Sequence, residues 1–192
     1  MTSGVRSALV ALLFWALQAS AQAWDLASLM QEMSQVPASK SRFMETRHIA
    51  LLTRPLELKG SLTYERPNRL SKHVQSPFDE LLSVDGEAAT LVNKTKGEQR
   101  FVSLREQPAI GTLVASVRAT LAGDLPQLQR HYRIEFSGPR EAWHLRLVPR
   151  DARVRGIVDT ITLTGTATHL KQIEIVETTG DRSVMTIVHD GK

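Results

Sequence analysis

A mainly β chain (α+β), in which a few helices accompany one long antiparallel meander, is the fold class this sequence predicts. Three observations predict it. Apolar residues recur with a period of two through most of residues 41–189, as in strands with one apolar and one wet face. Turn residues punctuate that pattern at short intervals. The period changes to 3.6 at two places, near residue 26 and between Pro108 and Tyr132. About eleven strands and three helices are expected. Neither an internal repeat nor a low-complexity linker interrupts residues 24–192, so a single domain is expected there.

Residues 1–23 read as an export signal. Arg6 supplies a short basic region, Ala8 to Leu17 (ALVALLFWAL) are uncharged and apolar, and Ala21-Gln22-Ala23 fits a small-x-small cleavage site. The apolar run is about half the ~20 residues that a membrane-spanning helix requires. No Cys follows the cleavage site for lipid attachment, so the mature chain is expected to begin at Trp24 and diffuse freely. The formal charge of +4 falls by one unit when Arg6 is removed. So mild a charge, without a Lys/Arg stripe interleaved with aromatics, argues against a nucleic-acid partner. With no Cys in the chain, burial and sheet pairing have to supply its stability.

Asp25 is placed to cap a short helix whose Leu26, Leu29, Met30 and Met33 share one face, and Pro37 ends it. From Ser41 the strands begin. Leu56, Leu58, Leu62 and Tyr64 alternate with Glu57, Lys59, Ser61, Thr63 and Glu65, and Gly60 marks a bulge or bend. Stretches at 69–75, 80–84, 88–93 and 99–105 follow, with Asp85-Gly86 as a hairpin turn. Ile110, Leu113, Val114, Val117 and Leu121 then recur at helical spacing. Asp124 is placed to cap a further short helix reaching Arg130, and Gln127 completes a capping-box pattern. Strands resume at 132–137, 142–149, 155–165, 168–178 and 182–189, the last two joined at Thr179-Gly180-Asp181. A twisted meander of this length closes, splits into a sandwich or remains a curved open barrel. Helices at its start and middle are positioned to plug such a barrel.

Chemistry is sparse in this chain. A thiol nucleophile is excluded, and neither a G-x-S-x-G elbow nor a G-x-x-x-x-G-K-[ST] phosphate loop occurs. His48, His73, His131, His144, His169 and His189 stand singly, with no H-x-H or H-E-x-x-H pair. A non-enzymatic protein without cofactor or metal is therefore expected. The candidate binding residues are apolar: Leu58, Leu62 and Tyr64 on the strands with Phe43, and Ile110, Leu113, Val114, Val117 and Leu121 on the helix. Mainly Leu, Val and Ile, such surfaces suit alkyl guests, which need no directional partner.

Residues 41–93 carry an ordered set of short motifs: Arg42-Phe43-Met44-Glu45, Gly60-Ser61-Leu62-Thr63-Tyr64, Glu65-Arg66-Pro67-Asn68-Arg69-Leu70, Ser76-Pro77-Phe78 and Ser83-Val84-Asp85-Gly86. In this order and spacing, after a signal segment and a short amphipathic helix, they resemble the periplasmic outer-membrane lipoprotein carriers of the LolA family and related LolA-like lipid carriers. The resemblance implies a curved, incompletely closed antiparallel β-barrel of about eleven strands with a helical lid. It implies a hydrophobic cavity for the acyl chains of a lipid or lipoprotein. It also implies a periplasmic monomer of the Gram-negative type, shuttling between an inner-membrane extraction machine and an outer-membrane acceptor. In the family, an Arg at the position of Arg66 helps hold the lid closed, so lid gating is expected of Arg66. Two departures set this chain apart: Glu45 stands where the family carries Gln, and aromatic residues are few. Both suit a single free lipid or an acyl product as well as a triacylated lipoprotein. An envelope sensor or scaffold module of the same fold, binding lipid or a protein partner, is the alternative.

Overall fold

The computed structural model describes residues 24–189; the signal-peptide expectation for residues 1–23 lies outside them. Alternating apolar residues become strands, as the period requires. Their order in space is β6-β5-β4-β3-β2-β1-β11-β10-β9-β8-β7, with every described neighbour pair antiparallel. These strands are β1 (Ala38–His48), β2 (Leu56–Glu65), β3 (Arg69–Ser76), β4 (Glu80–Asp85), β5 (Ala88–Asn93), β6 (Glu98–Ser103), β7 (Tyr132–Ser137), β8 (Trp143–Pro149), β9 (Val158–Thr166), β10 (His169–Glu177) and β11 (Arg182–Val188). The first strand pairs with the last, from Arg42 opposite Val188 to His48 opposite Arg182. That one pairing turns two meanders into a single eleven-stranded sheet. The sheet does not close, because β6 and β7 are its two edges.

This topology dictates where the helices go. β6 and β7 are consecutive in sequence yet lie at opposite edges, so the chain between them has to cross the sheet. It does so as α2 (Pro108–Ala122) and α3 (Leu125–His131), the insertion that sequence spacing predicts. α1 (Leu26–Met33) buries Leu29, Met30 and Met33. The Asp25 side chain caps it by accepting from the Ser28 N–H at 2.8 Å. Asp124 caps α3 in the same way, from the Gln127 N–H at 3.0 Å. The reciprocal half of the predicted capping box is not formed, because the Asp124 N–H donates to the Ala119 carbonyl instead. Gly123 ends α2 in the left-handed region at φ 69°.

Two sequence expectations need correction. Among the described residues there are four helices, not three: α4 (Ala152–Arg155) falls between the strands expected at 142–149 and 155–165 and takes the first residue of the latter, and β9 starts only at Val158. Asp151 explains the difference, since its carboxylate accepts from the N–H groups of Arg153 and Val154 and nucleates one turn. β1 also starts earlier than Ser41, at Ala38. The bend expected at Gly60 is present as a register shift between Lys59 and Gly60 against β3. A side chain there would meet the His73 carbonyl oxygen at 1.8 Å, so only glycine lets the strands approach.

The main core gathers on the concave face. Trp143, Leu145, Leu147, Ile161 and Leu163 are fully buried with Leu29, Met33 and Leu128 of the helices. A second, smaller cluster joins Val84, Ala89 and Leu104 to Val114 of α2.

Candidate functional site

Between α2 and the concave face lies a cavity of about 920 Å³, within the ~300–1,000 Å³ typical of ligand pockets. Its roof is the face of α2 predicted from spacing: Ile110, Leu113, Val114, Val117 and Leu121. The floor is built by register. Leu62 and Tyr64 of β2 face inward opposite Lys72 and Leu70 of β3, and Leu82 of β4 continues that row. On the other side Met185 of β11 pairs with Ile173 of β10 and Ser183 with Ile175, and Ile187 lines the space further along β11. Of the nine predicted binding residues, seven line this space. Phe43 and Leu58 do not; they share the inward face of β1 and β2 with the lining residues but are packed in the main core, 2% and 1% exposed. The Tyr64 hydroxyl is buried with no hydrogen-bond partner among the described residues.

The roof is fastened at few points. Tyr132 donates its hydroxyl to the Thr112 carbonyl at 2.6 Å, tying α2 to edge strand β7. Arg118 reaches the Gly86 carbonyl in the β4–β5 turn at 2.6 Å. Arg66, singled out by its Arg-Pro context, donates through Nη1 to the Ser34 carbonyl after α1 and to the Ala122 carbonyl at 3.4 Å. One guanidinium thus bridges the C-terminal ends of two helices, where the partial negative charge of the helix dipole favours a cation.

Sequence reasoning did not assemble one feature of the floor, a buried ion cluster. Glu45 on β1 is 3% exposed. Its Oε1 accepts from Arg47 Nε at 2.6 Å and from the Ser183 hydroxyl at 2.7 Å, and its Oε2 accepts from Lys72 Nζ. Burial pushes the Glu45 carboxyl up, but Lys72 and Arg47 outweigh it and hold the carboxyl below its usual range. Burial pulls the Lys72 ammonium down, partly offset by Glu45. Lys72 Nζ also lies 5.1 Å from the Phe43 ring centroid. The participants are 27 and 138 positions apart, so no local motif signals them. Among the described residues no three His, Asp or Glu side chains gather as a metal ion would require.

The profile of a family described as outer membrane lipoprotein carrier protein LolA-like matches residues 18–189. No curated protein matches the sequence. Among solved structures, an uncharacterized conserved protein from Thermus thermophilus is similar at TM-score 0.50 and 6% identity, over 84% of this chain and 83% of that one. A LolA superfamily protein from Nitrosomonas europaea is similar at TM-score 0.42 and 9% identity, over 86% and 94%. The MucA/MucB complex of Pseudomonas aeruginosa contains a chain similar at TM-score 0.39 and 12% identity, over 86% and 56%. At such identities the likeness is one of fold alone.

Proposed function

The chain belongs to the outer membrane lipoprotein carrier protein LolA-like family, and from that premise we propose that it is a non-enzymatic carrier of lipid acyl chains across the periplasm. The observation that carries the proposal is the roofed apolar cavity of about 920 Å³ between α2 and the sheet. Exposing a chain of ~16 carbons to water costs on the order of 12 kcal/mol at ~0.8 kcal/mol per CH₂. A cavity walled by Leu62, Leu113, Val117, Ile173 and Met185 removes most of that cost during transit. Delivery requires the opposite property, a guest that leaves. A lid provides it, because α2 and the guest compete for the same apolar floor, and each shifts the equilibrium against the other. Arg66 sets the balance by holding the ends of α1 and α2 together.

In this reading residues 1–23 direct export and residues 24–192 act as one carrier domain. An inner-membrane machine loads the acyl chains and an outer-membrane acceptor removes them. Phe43 and Leu58 pack in the core beside the floor; Leu62, Tyr64, Ile110, Leu113, Val114, Val117 and Leu121 touch the guest.

Val114→Asp tests the reading by placing a charge in the roof. Native mass spectrometry of protein taken from the periplasm is expected to find lipid on the wild type and none on the variant, with the sheet signal in circular dichroism retained by both. Lipid retained by the variant, or wild type that copurifies with a protein partner and no lipid, would overturn the carrier reading.

A further inference from the structure

The carrier reading needs only grease, yet the floor of the cavity holds charges. Lys72, Glu45, Arg47 and Ser183 all line the space, surrounded by Leu62, Leu82, Ile175 and Met185 of the neighbouring strands. A buried ion pair is poor value as a stabilising device, since apolar residues of the same volume usually do as well or better. Its hydrogen bonding is also lopsided. Glu45 has both oxygens occupied, whereas Lys72 uses one of its three protons and finds no second acceptor among the described residues. Within the cluster one carboxylate faces two cations. Glu80 of β4 acts on Lys72 only at longer range and is engaged by Asn93 Nδ2 at 3.4 Å. Donors and positive charge are therefore in surplus at the middle of an apolar floor.

We infer that Lys72, with Arg47 and positioned by Glu45, is a head-group anchor for a guest whose acyl chain ends in an anionic acceptor, a carboxylate or a phosphate. The inference rests on the carrier reading and adds the chemistry of the guest. Glu45 holds the Lys72 ammonium at the cavity floor, and the face of the Phe43 ring, 5.1 Å from Nζ, adds a second attraction there. The acyl chain then lies along Leu62, Leu113, Val117 and Ile187. Lys72 is 18% and Arg47 41% exposed, and a charge-assisted hydrogen bond to the half-buried ammonium discriminates against a neutral head group.

The test uses the full chain carrying a displaceable apolar fluorophore, titrated below the micellar range where carboxylates are ionised. Hexadecanoate, hexadecyl phosphate, hexadecanol and hexadecyltrimethylammonium compete in turn. Both anions are expected to bind at least ~10-fold more tightly than the alcohol, and the cation more weakly than the alcohol. Which anion binds more tightly assigns the head group to carboxylate or phosphate. In the triple variant Glu45→Gln, Arg47→Met and Lys72→Met, both anions are expected to lose their preference over hexadecanol, and a preference that survived would overturn the inference. Equal affinity of wild type for hexadecanoate and hexadecanol would overturn the inference and leave the carrier reading standing. Failure of all four to displace the fluorophore would overturn both.

Discussion

The two ends of the sheet share one hydrogen-bond ladder and differ in almost everything else. At the β7–β9 end, Trp143, Leu145, Leu147, Ile161 and Leu163 are fully buried, in one core with Leu29 and Met33 of α1, Leu128 of α3 and Val154 of α4. At the β3–β6 end, only Val74, Val84 and Ala89 among the strand residues are buried, β6 has none, and Phe101 on that edge is 81% exposed. Pairing geometry cannot account for the contrast, since both ends are regular antiparallel ladders. Side-chain volume and helical cover account for it. Close packing is concentrated at one end, and towards the other the same sheet leaves a cavity beneath α2.

Truncation at the packed end breaks the comparison most directly. Leu163→Ala opens a void between residues that cannot collapse, and is expected to cost about 2–5 kcal/mol in chemical denaturation. Leu82→Ala at the other end enlarges a space that already exists and is expected to cost under about 1 kcal/mol. Equal losses would mean that the cavity floor is as tightly coupled to folding as the core.

A single added methyl group sharpens the same contrast at a smaller scale. A Cβ on Gly165 would lie 2.2 Å from Cζ2 of Trp143 and 2.5 Å from the His169 carbonyl oxygen. Gly165→Ala is therefore expected to cost about 1–3 kcal/mol, as overpacking usually does, with the loss read by thermal denaturation and by Trp143 fluorescence. A neutral result would show slack where the packing leaves none.

These contrasts also explain what was legible in the sequence. Period-two alternation marks β2, between the two ends, because Leu58 and Tyr64 have to face the core whatever packs above them. The helix over the cavity was readable from Ile110 to Leu121, whereas Arg66 was singled out only by its Arg-Pro motif, with no sign of the Ser34 and Ala122 carbonyls it meets. α4 was missed because one turn over residues 152–155 has no period to detect, and its Asp151 cap is an isolated signal. The Glu45–Lys72 cluster was missed for a deeper reason. Register decides which residues of distant strands become neighbours, and nothing near Glu45 announces Lys72 or Ser183. Glu45 was visible only as a departure from a family pattern.

Arg66 lies between the two ends, and its loss should separate lid from sheet. Arg66→Met removes the bridge from the α1 and α2 termini to β2 without touching a core side chain. Global stability is expected to fall by under about 1 kcal/mol, the scale of an exposed charge at a helix terminus. Amide hydrogen exchange at residues 119–123 and 34–36 is expected to speed up while that of β8 and β9 stays slow. Uniform acceleration across the sheet would show that Arg66 holds the whole fold and not the lid.

The smallest effect is expected from a tie on the outside of the packed end. Arg140 in the β7–β8 turn donates Nε to both carboxylate oxygens of Glu32 on α1, at 2.8 and 3.1 Å. This hydrogen bond holds the Glu32 carboxyl below its ordinary range and raises the Arg140 guanidinium. Because the folded value is the depressed one, the pair contributes stability fully above the unfolded carboxylate pKa of about 4.3. That contribution is lost as pH falls through the lower, folded value. Both side chains remain open to solvent, at 30% and 49%, so screening keeps the contribution small. Arg140→Met is expected to lower the denaturation midpoint slightly at neutral pH. Toward acid the difference from wild type should narrow and vanish, and added salt should shrink it at neutral pH. A difference that persisted in acid would trace to the packing of the Arg140 stem on α1, and the charge would then contribute nothing to docking that helix on the packed end.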